Sequence, residues 1–128
     1  DFPELTVVIN HCGLPLDRDA DALRVWRDGM ERLAALPGTA VKVSELGLYR
    51  NRWDRSSNEE VVRDTLAIFG ADRALFASNM PVATLTAPDF DEVMDTILTG
   101  AAGLDAAGLD ALFHGTAARV YRLDVPAV

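Results

Sequence analysis

The sequence predicts an α/β fold built on parallel strands, and three observations predict it. Three short apolar runs, at residues 5–13, 40–46 and 73–81, each end in polar residues able to do chemistry: Asn10-His11-Cys12, Lys42-Val43-Ser44-Glu45 and Ser78-Asn79. Stretches with helical periodicity separate them. Strand, polar tip, loop and helix then repeat, which is the rhythm of a parallel sheet flanked by helices. In such folds reactive residues collect at the C-terminal ends of the strands.

After the first run, residues 14–17 form a loop, and Asp19 or Asp21 can cap the helix that follows. Leu23, Trp26, Met30 and Leu33 keep the spacing of one buried helical stripe. Gly29 interrupts that helix at a cost of about 1 kcal/mol relative to alanine, offset if a neighbour packs closely against it. Pro37-Gly38 ends it.

The second run gives way to a polar loop over residues 47–58. Ser56 with Glu59, or Ser57 with Glu60, has the spacing of a capping box. Val62, Thr65, Leu66 and Phe69 supply the next buried face, and Gly70 stands where a left-handed C-cap residue belongs. Past the third run, Asp89 caps a helix whose apolar face is Phe90, Val93, Met94 and Ile97. A near-duplicate at 103–107 and 108–112 is too short for a repeat architecture and reads as helix composition. A short helix over 116–121 returns to the body. Three parallel strands would leave unpaired outer edges, so further strands are expected from preceding sequence or a partner chain, unless the sheet is unusually small.

The chain has 128 residues, 49% hydrophobic and 25% charged, which is the composition of an ordinary soluble domain. Its net charge of −8 argues against nucleic acid, whose phosphates demand clustered cations. No apolar run approaches the ~20 residues that cross a bilayer, so no membrane partner is expected. A single cysteine, Cys12, forbids an internal disulfide and fits a reducing, cytoplasmic setting. The expected partner is a small-molecule substrate, with a homo-oligomer left open.

His11 is a candidate metal ligand or general base, or a histidine bonded to a loop carbonyl. Cys12 carries no local signal that would lower its pKa. Lys42 and Ser44, two residues apart, share one face of their strand, while Val41 and Val43 take the other. Inside a closed barrel Lys42 and Ser44 contact substrate; otherwise Lys42 pairs with a carboxylate. Arg50 and Arg52 beside Trp53 offer planar cations next to an aromatic face, suited to a substrate carboxylate, or a solvated run of charge. Asn79 can donate and accept hydrogen bonds but cannot take a proton; it can equally be a turn former before Pro81. His114 belongs in a helix-to-helix turn at the surface. The sequence has no glycine-rich phosphate loop, cysteine cluster, nucleophile elbow or dinucleotide fingerprint.

Taken in order, Asn10-His11-Cys12-Gly13-Leu14-Pro15, Val41-Lys42-Val43-Ser44, the stretch 69–82 and Thr116-Ala117-Ala118-Arg119-Val120-Tyr121-Arg122-Leu123 resemble the C-terminal part of the amidohydrolase-related family. The resemblance implies a metal-dependent TIM-barrel hydrolase or lactonase, with residues 1–128 as an incomplete C-terminal portion of a (β/α)8 barrel. The three strands would be the sixth, seventh and eighth. The first-strand His-x-His pair and the fifth-strand ligands would lie outside this sequence.

By the same resemblance, His11 matches the sixth-strand histidine near the metal or substrate. Asn79 falls where the hydrolases place the aspartate that moves the proton of the attacking water. The full-length protein is then expected to bind a divalent metal, zinc or manganese, and to hydrolyse a small lactone or another carboxylate-bearing molecule. The fragment alone, without the three protein ligands of a catalytic zinc site, is expected to be metal-free and inactive. Asparagine at 79 keeps two alternatives open: a decarboxylase on the same barrel, and a member without catalysis.

Overall fold

The computed structural model describes residues 4–48 and 53–124. A parallel sheet runs in the order β1 (Val7–Ile9), β2 (Thr39–Val43), β3 (Ala74–Phe76). Val7 pairs with Thr39 and Ile9 with Val41 on one side, and Val41 with Ala74 and Val43 with Phe76 on the other. All three C-terminal strand ends therefore lie along one edge. Among the described residues the outer strands, β1 and β3, each pair on one side only, and Val7 remains 43% exposed.

Helices α1 (Ala20–Ala34) and α2 (Arg55–Phe69) cross between the strands, and α3 (Phe90–Gly100), α4 (Ala106–Asp110) and α5 (Thr116–Tyr121) follow β3. Residues 111–115 link the last two through a π-helical turn that carries the exposed His114. Val41, Val43 and Ala74 are completely buried with Val61, Val62, Phe69 and Ile97, so one face of the sheet packs on helices. Lys42 alternates with these valines onto the opposite face, as expected. Arg73 donates to the carbonyls of Ala34 (2.7 Å) and Phe69 (3.2 Å), placing a cation at the C-terminal ends of both crossover helices just before β3.

The caps decide the helix starts. Asp19 accepts from the Ala22 amide and Asp89 from the Glu92 amide. At α2 the expected serine box gives way to Asp54, whose carboxylate accepts from Ser57 N at 3.1 Å. Aspartate three residues ahead does the same work with a full charge against the helix dipole. Gly70 has φ +74 but ψ 159, so it turns the chain without closing a left-handed cap. In α1, Leu23 and Met30 are buried while Leu33 is 38% exposed, because ten residues at 100° each carry it to the stripe's margin.

Gly29 meets open space, and a Cβ there would find no atom from outside its own stretch of helix within 4 Å, so close packing does not explain it. Gly29→Ala should accordingly raise stability by about 0.5–1 kcal/mol, read as a rise in urea midpoint at unchanged slope; a fall would mean that the site is not open.

Among the described residues no helix is long and apolar enough to span a membrane.

Candidate functional site

Each strand tip places non-glycine residues in the left-handed backbone region. After β1 these are His11 (φ 57), Cys12 (φ 52) and Leu14 (φ 53), with Gly13 (φ 69) between them; after β2, Glu45 (φ 46); after β3, Asn79 (φ 54). Such residues cost on the order of 1–3 kcal/mol each and persist where surroundings overdetermine them, often at functional sites. The surroundings of the His11 turn are explicit. Trp26 Nε1 donates to the Cys12 carbonyl at 2.8 Å, and the Leu14 amide donates to the His11 carbonyl at 2.7 Å. Cys12 is buried with its Sγ 3.7 Å from the Lys42 carbonyl. Burial pushes the Cys12 thiol up, so it is a packing residue rather than a nucleophile at neutral pH. A Cβ on Gly13 would stand 2.7 Å from Met30 Sδ, so a side chain there would push the methionine aside as well as strain a backbone at φ 69.

The central contact joins the first two strand tips. His11 Nδ1 lies 2.9 Å from Ser44 Oγ, and Ser44 is buried. With Nδ1–H donating to the hydroxyl, the Nε2 lone pair is left for a metal or a proton. Ser44 also joins Ser78, Glu45 and Trp53 around a cavity of about 10 Å³, room for about one water molecule. Asn79 follows Ser78 directly. His11 and Asn79 thus stand on the same sheet edge, on either side of Ser44.

Other expected residues are used differently. Trp53 Nε1 donates to Glu92 Oε1 at 3.0 Å, tying the start of α2 to α3. Lys42 has its ammonium 5.7 Å from the Tyr121 ring centroid, and no carboxylate pairs with it among the described residues. Arg50 and Arg52 lie outside the described residues. Nearby Arg55 is committed to Glu59 at 2.9 Å and Glu92 at 3.1 Å.

Two residues at this edge were not among the expected site residues. Glu45 carries a buried carboxylate oxygen, Oε2, with no hydrogen-bond partner among the described residues. Its only sequence signal is its place directly after Ser44. Arg18 donates to the carbonyls of Pro15, Leu46 and Ser57 and to the Ser57 hydroxyl. Nothing in a lone arginine ahead of a helix announces that role.

A metal needs more ligands than one imidazole, and among the described residues no group of three His, Cys, Asp or Glu side chains could hold one. What this chain offers is one histidine oriented through its far nitrogen, the arrangement usual for a metal-bound imidazole.

The sequence profile of the family described as Amidohydrolase matches residues 1–123. An L-fucono-1,5-lactonase from Burkholderia multivorans is 38% identical over 133 residues, spanning 94% of this chain and 44% of the lactonase. The uncharacterized protein y4mH of Sinorhizobium fredii is 36% identical over 123 residues, or 96% of this chain and 41% of y4mH. A crystal structure of an amidohydrolase from Burkholderia multivorans with bound zinc superposes with a TM-score of 0.83 at 36% identity, covering 92% of this chain and 44% of that one. The chain spans less than half the length of these relatives.

Proposed function

Since the chain belongs to the amidohydrolase family, as three strands of its (β/α)8 barrel, we propose that it forms the closing part of a lactone-hydrolysing active site. Residues 1–128 would supply the sixth to eighth strands of the full-length enzyme. The observation that carries this reading is the His11–Ser44 contact of 2.9 Å across adjacent strand tips. It orients an imidazole at the end of the barrel where such enzymes do chemistry. The similarity to a lactonase supports the substrate class.

In lactone hydrolysis a water oxygen adds to the ring carbonyl, the ring C–O bond breaks, and the departing alkoxide takes up a proton to leave a hydroxy acid. His11 Nε2 is the atom of this chain suited to hold a divalent metal, zinc or manganese, alongside ligands from the other strands. Such an ion would polarise the carbonyl and acidify water. Asn79 cannot remove the proton, but its amide can hold the carbonyl oxygen or orient the water. Ser44 holds the Nδ1 side of the imidazole, which turns Nε2 away from the hydroxyl. Lys42 lies on the sheet face opposite Val41 and Val43, beside the Tyr121 ring of α5, and is proposed to face the barrel interior. Arg50 and Arg52 are proposed to hold a substrate carboxylate at the mouth beside Trp53.

Asn79 favours a second reading, decarboxylation, in which no water need be deprotonated. Sugar-acid lactones and aromatic carboxylates, offered to the full-length enzyme with zinc or manganese, separate the two. Hydroxy-acid release is expected, and carbon dioxide release would replace the first reading with the second. Turnover of neither, with no gain on Asn79→Asp, would overturn both.

A further inference from the structure

His11, Ser44 and Trp53 all lie beyond the strand ends, outside the paired residues of β1, β2 and β3. One side chain crosses all three of their segments. Arg18 Nε donates to the Pro15 carbonyl at 2.6 Å, in the loop after His11. Its Nη2 donates to the Leu46 carbonyl at 3.0 Å, two residues beyond Ser44. Its Nη1 lies 3.2 Å from both the carbonyl and the hydroxyl of Ser57, in the first turn of the helix that starts after Trp53. None of these partners is a carboxylate. The guanidinium is used as a planar fork of donors rather than as a counter-charge, a role that lysine's single ammonium does not reproduce.

We propose that Arg18 is a positioning residue of this site. By pinning the loops after β1 and β2 and the start of α2, it keeps the His11 imidazole on the Ser44 hydroxyl. The left-handed turn makes such a tie necessary. Three non-glycine residues in that turn would relax toward ordinary backbone angles if the loop came free, and His11 would turn away with them.

Arg27 provides the contrast within the same helix layer. It bonds Asp64 at 2.5 Å and Glu60 at 2.7 Å, joining α1 to α2 away from the strand tips. Losing Arg27 should loosen the fold without redirecting His11.

The inference rests on the proposed active site, but its decisive readout does not require turnover. In the full-length enzyme labelled with ¹⁵N-histidine, His11→Gln assigns the His11 ring signals. Ser44→Ala then shows what loss of the hydroxyl contact does to them. Arg18→Ala is expected to move these signals toward their Ser44→Ala positions. It should also lower kcat by about 10- to 100-fold, the range for outer partners of a site histidine, with KM nearly unchanged. Arg18→Lys, the milder change should the alanine variant not fold, is expected to recover Tm without recovering kcat. Arg27→Ala should lower Tm and leave both His11 signals and kcat in place.

If Arg18→Ala and Arg18→Lys keep wild-type His11 signals, losing only stability as Arg27→Ala does, the positioning role is wrong. If no lactone is turned over but the His11 signals move as described, the lactonase reading falls and the assignment of Arg18 stands.

Discussion

On the proposed lactonase reading, His11→Ala in the full-length enzyme should reduce kcat/KM for lactones by more than the roughly 10- to 100-fold that loss of a metal ligand's outer partner costs, because it removes the nitrogen proposed to hold the metal. The fold should survive, since His11 is only half-buried and makes no contribution to the apolar core. Ser44→Ala should cost less, about 10- to 100-fold, since it leaves the imidazole in place and frees only its orientation. The two changes should not add. Once the ring is gone, the hydroxyl has nothing to orient, so the double variant should match His11→Ala alone. Steady-state kinetics on the four proteins, with metal content measured in each, decides the matter. Additive losses would show that Ser44 acts on substrate directly, and an unaffected His11→Ala would remove the site from this end of the barrel.

The parts of this arrangement that were legible beforehand share a physical cause. Strand tips are visible because an apolar run stops abruptly at residues that can hydrogen-bond. His11, Ser44 and Asn79 are therefore placed on the correct edge by pattern alone. Buried stripes follow from helical spacing, as Val62, Thr65, Leu66 and Phe69 show. What pattern does not carry is backbone hand. Gly13 signals the left-handed turn and histidine tolerates it, but cysteine and leucine beside them argue the other way. The turn exists because Trp26, Ser44 and the Lys42 carbonyl, all distant in sequence, hold it. Arg18 is hidden for the same reason. Its acceptors are three backbone carbonyls and one hydroxyl, all uncharged, so no complementary charge marks them. The α2 cap moved to Asp54 because two adjacent serine boxes and one aspartate compete over a few residues, and local spacing does not rank them.

Gly100→Val should be the most destabilising single change in the helical layer. A Cβ at Gly100 would stand 2.6 Å from Val62 Cβ, 2.7 Å from Val62 Cγ1 and 3.0 Å from the Glu59 carbonyl. None of these can yield easily: Val62 is completely buried with a stiff χ1, and the carbonyl belongs to the α2 backbone. α3 must therefore lift away from α2, and overpacking of this kind costs about 1–3 kcal/mol. Gly100→Ala meets the same clash with a single methyl, without the second branch that valine adds, so its loss should be smaller. Urea unfolding should show midpoints falling in the order wild type, alanine, valine. Trimming the obstacle tests the cause: Gly100→Ala with Val62→Ala should be more stable than the sum of the single changes predicts. The site should respond less than the fold, because Glu92, which receives Trp53 Nε1, lies near the opposite end of α3. A lactone turnover number within a few-fold of wild type is expected for Gly100→Ala well below its Tm. Wild-type stability in both Gly100 variants would mean that the helices are not in contact there, and that α3 reaches the strand tips by some other packing.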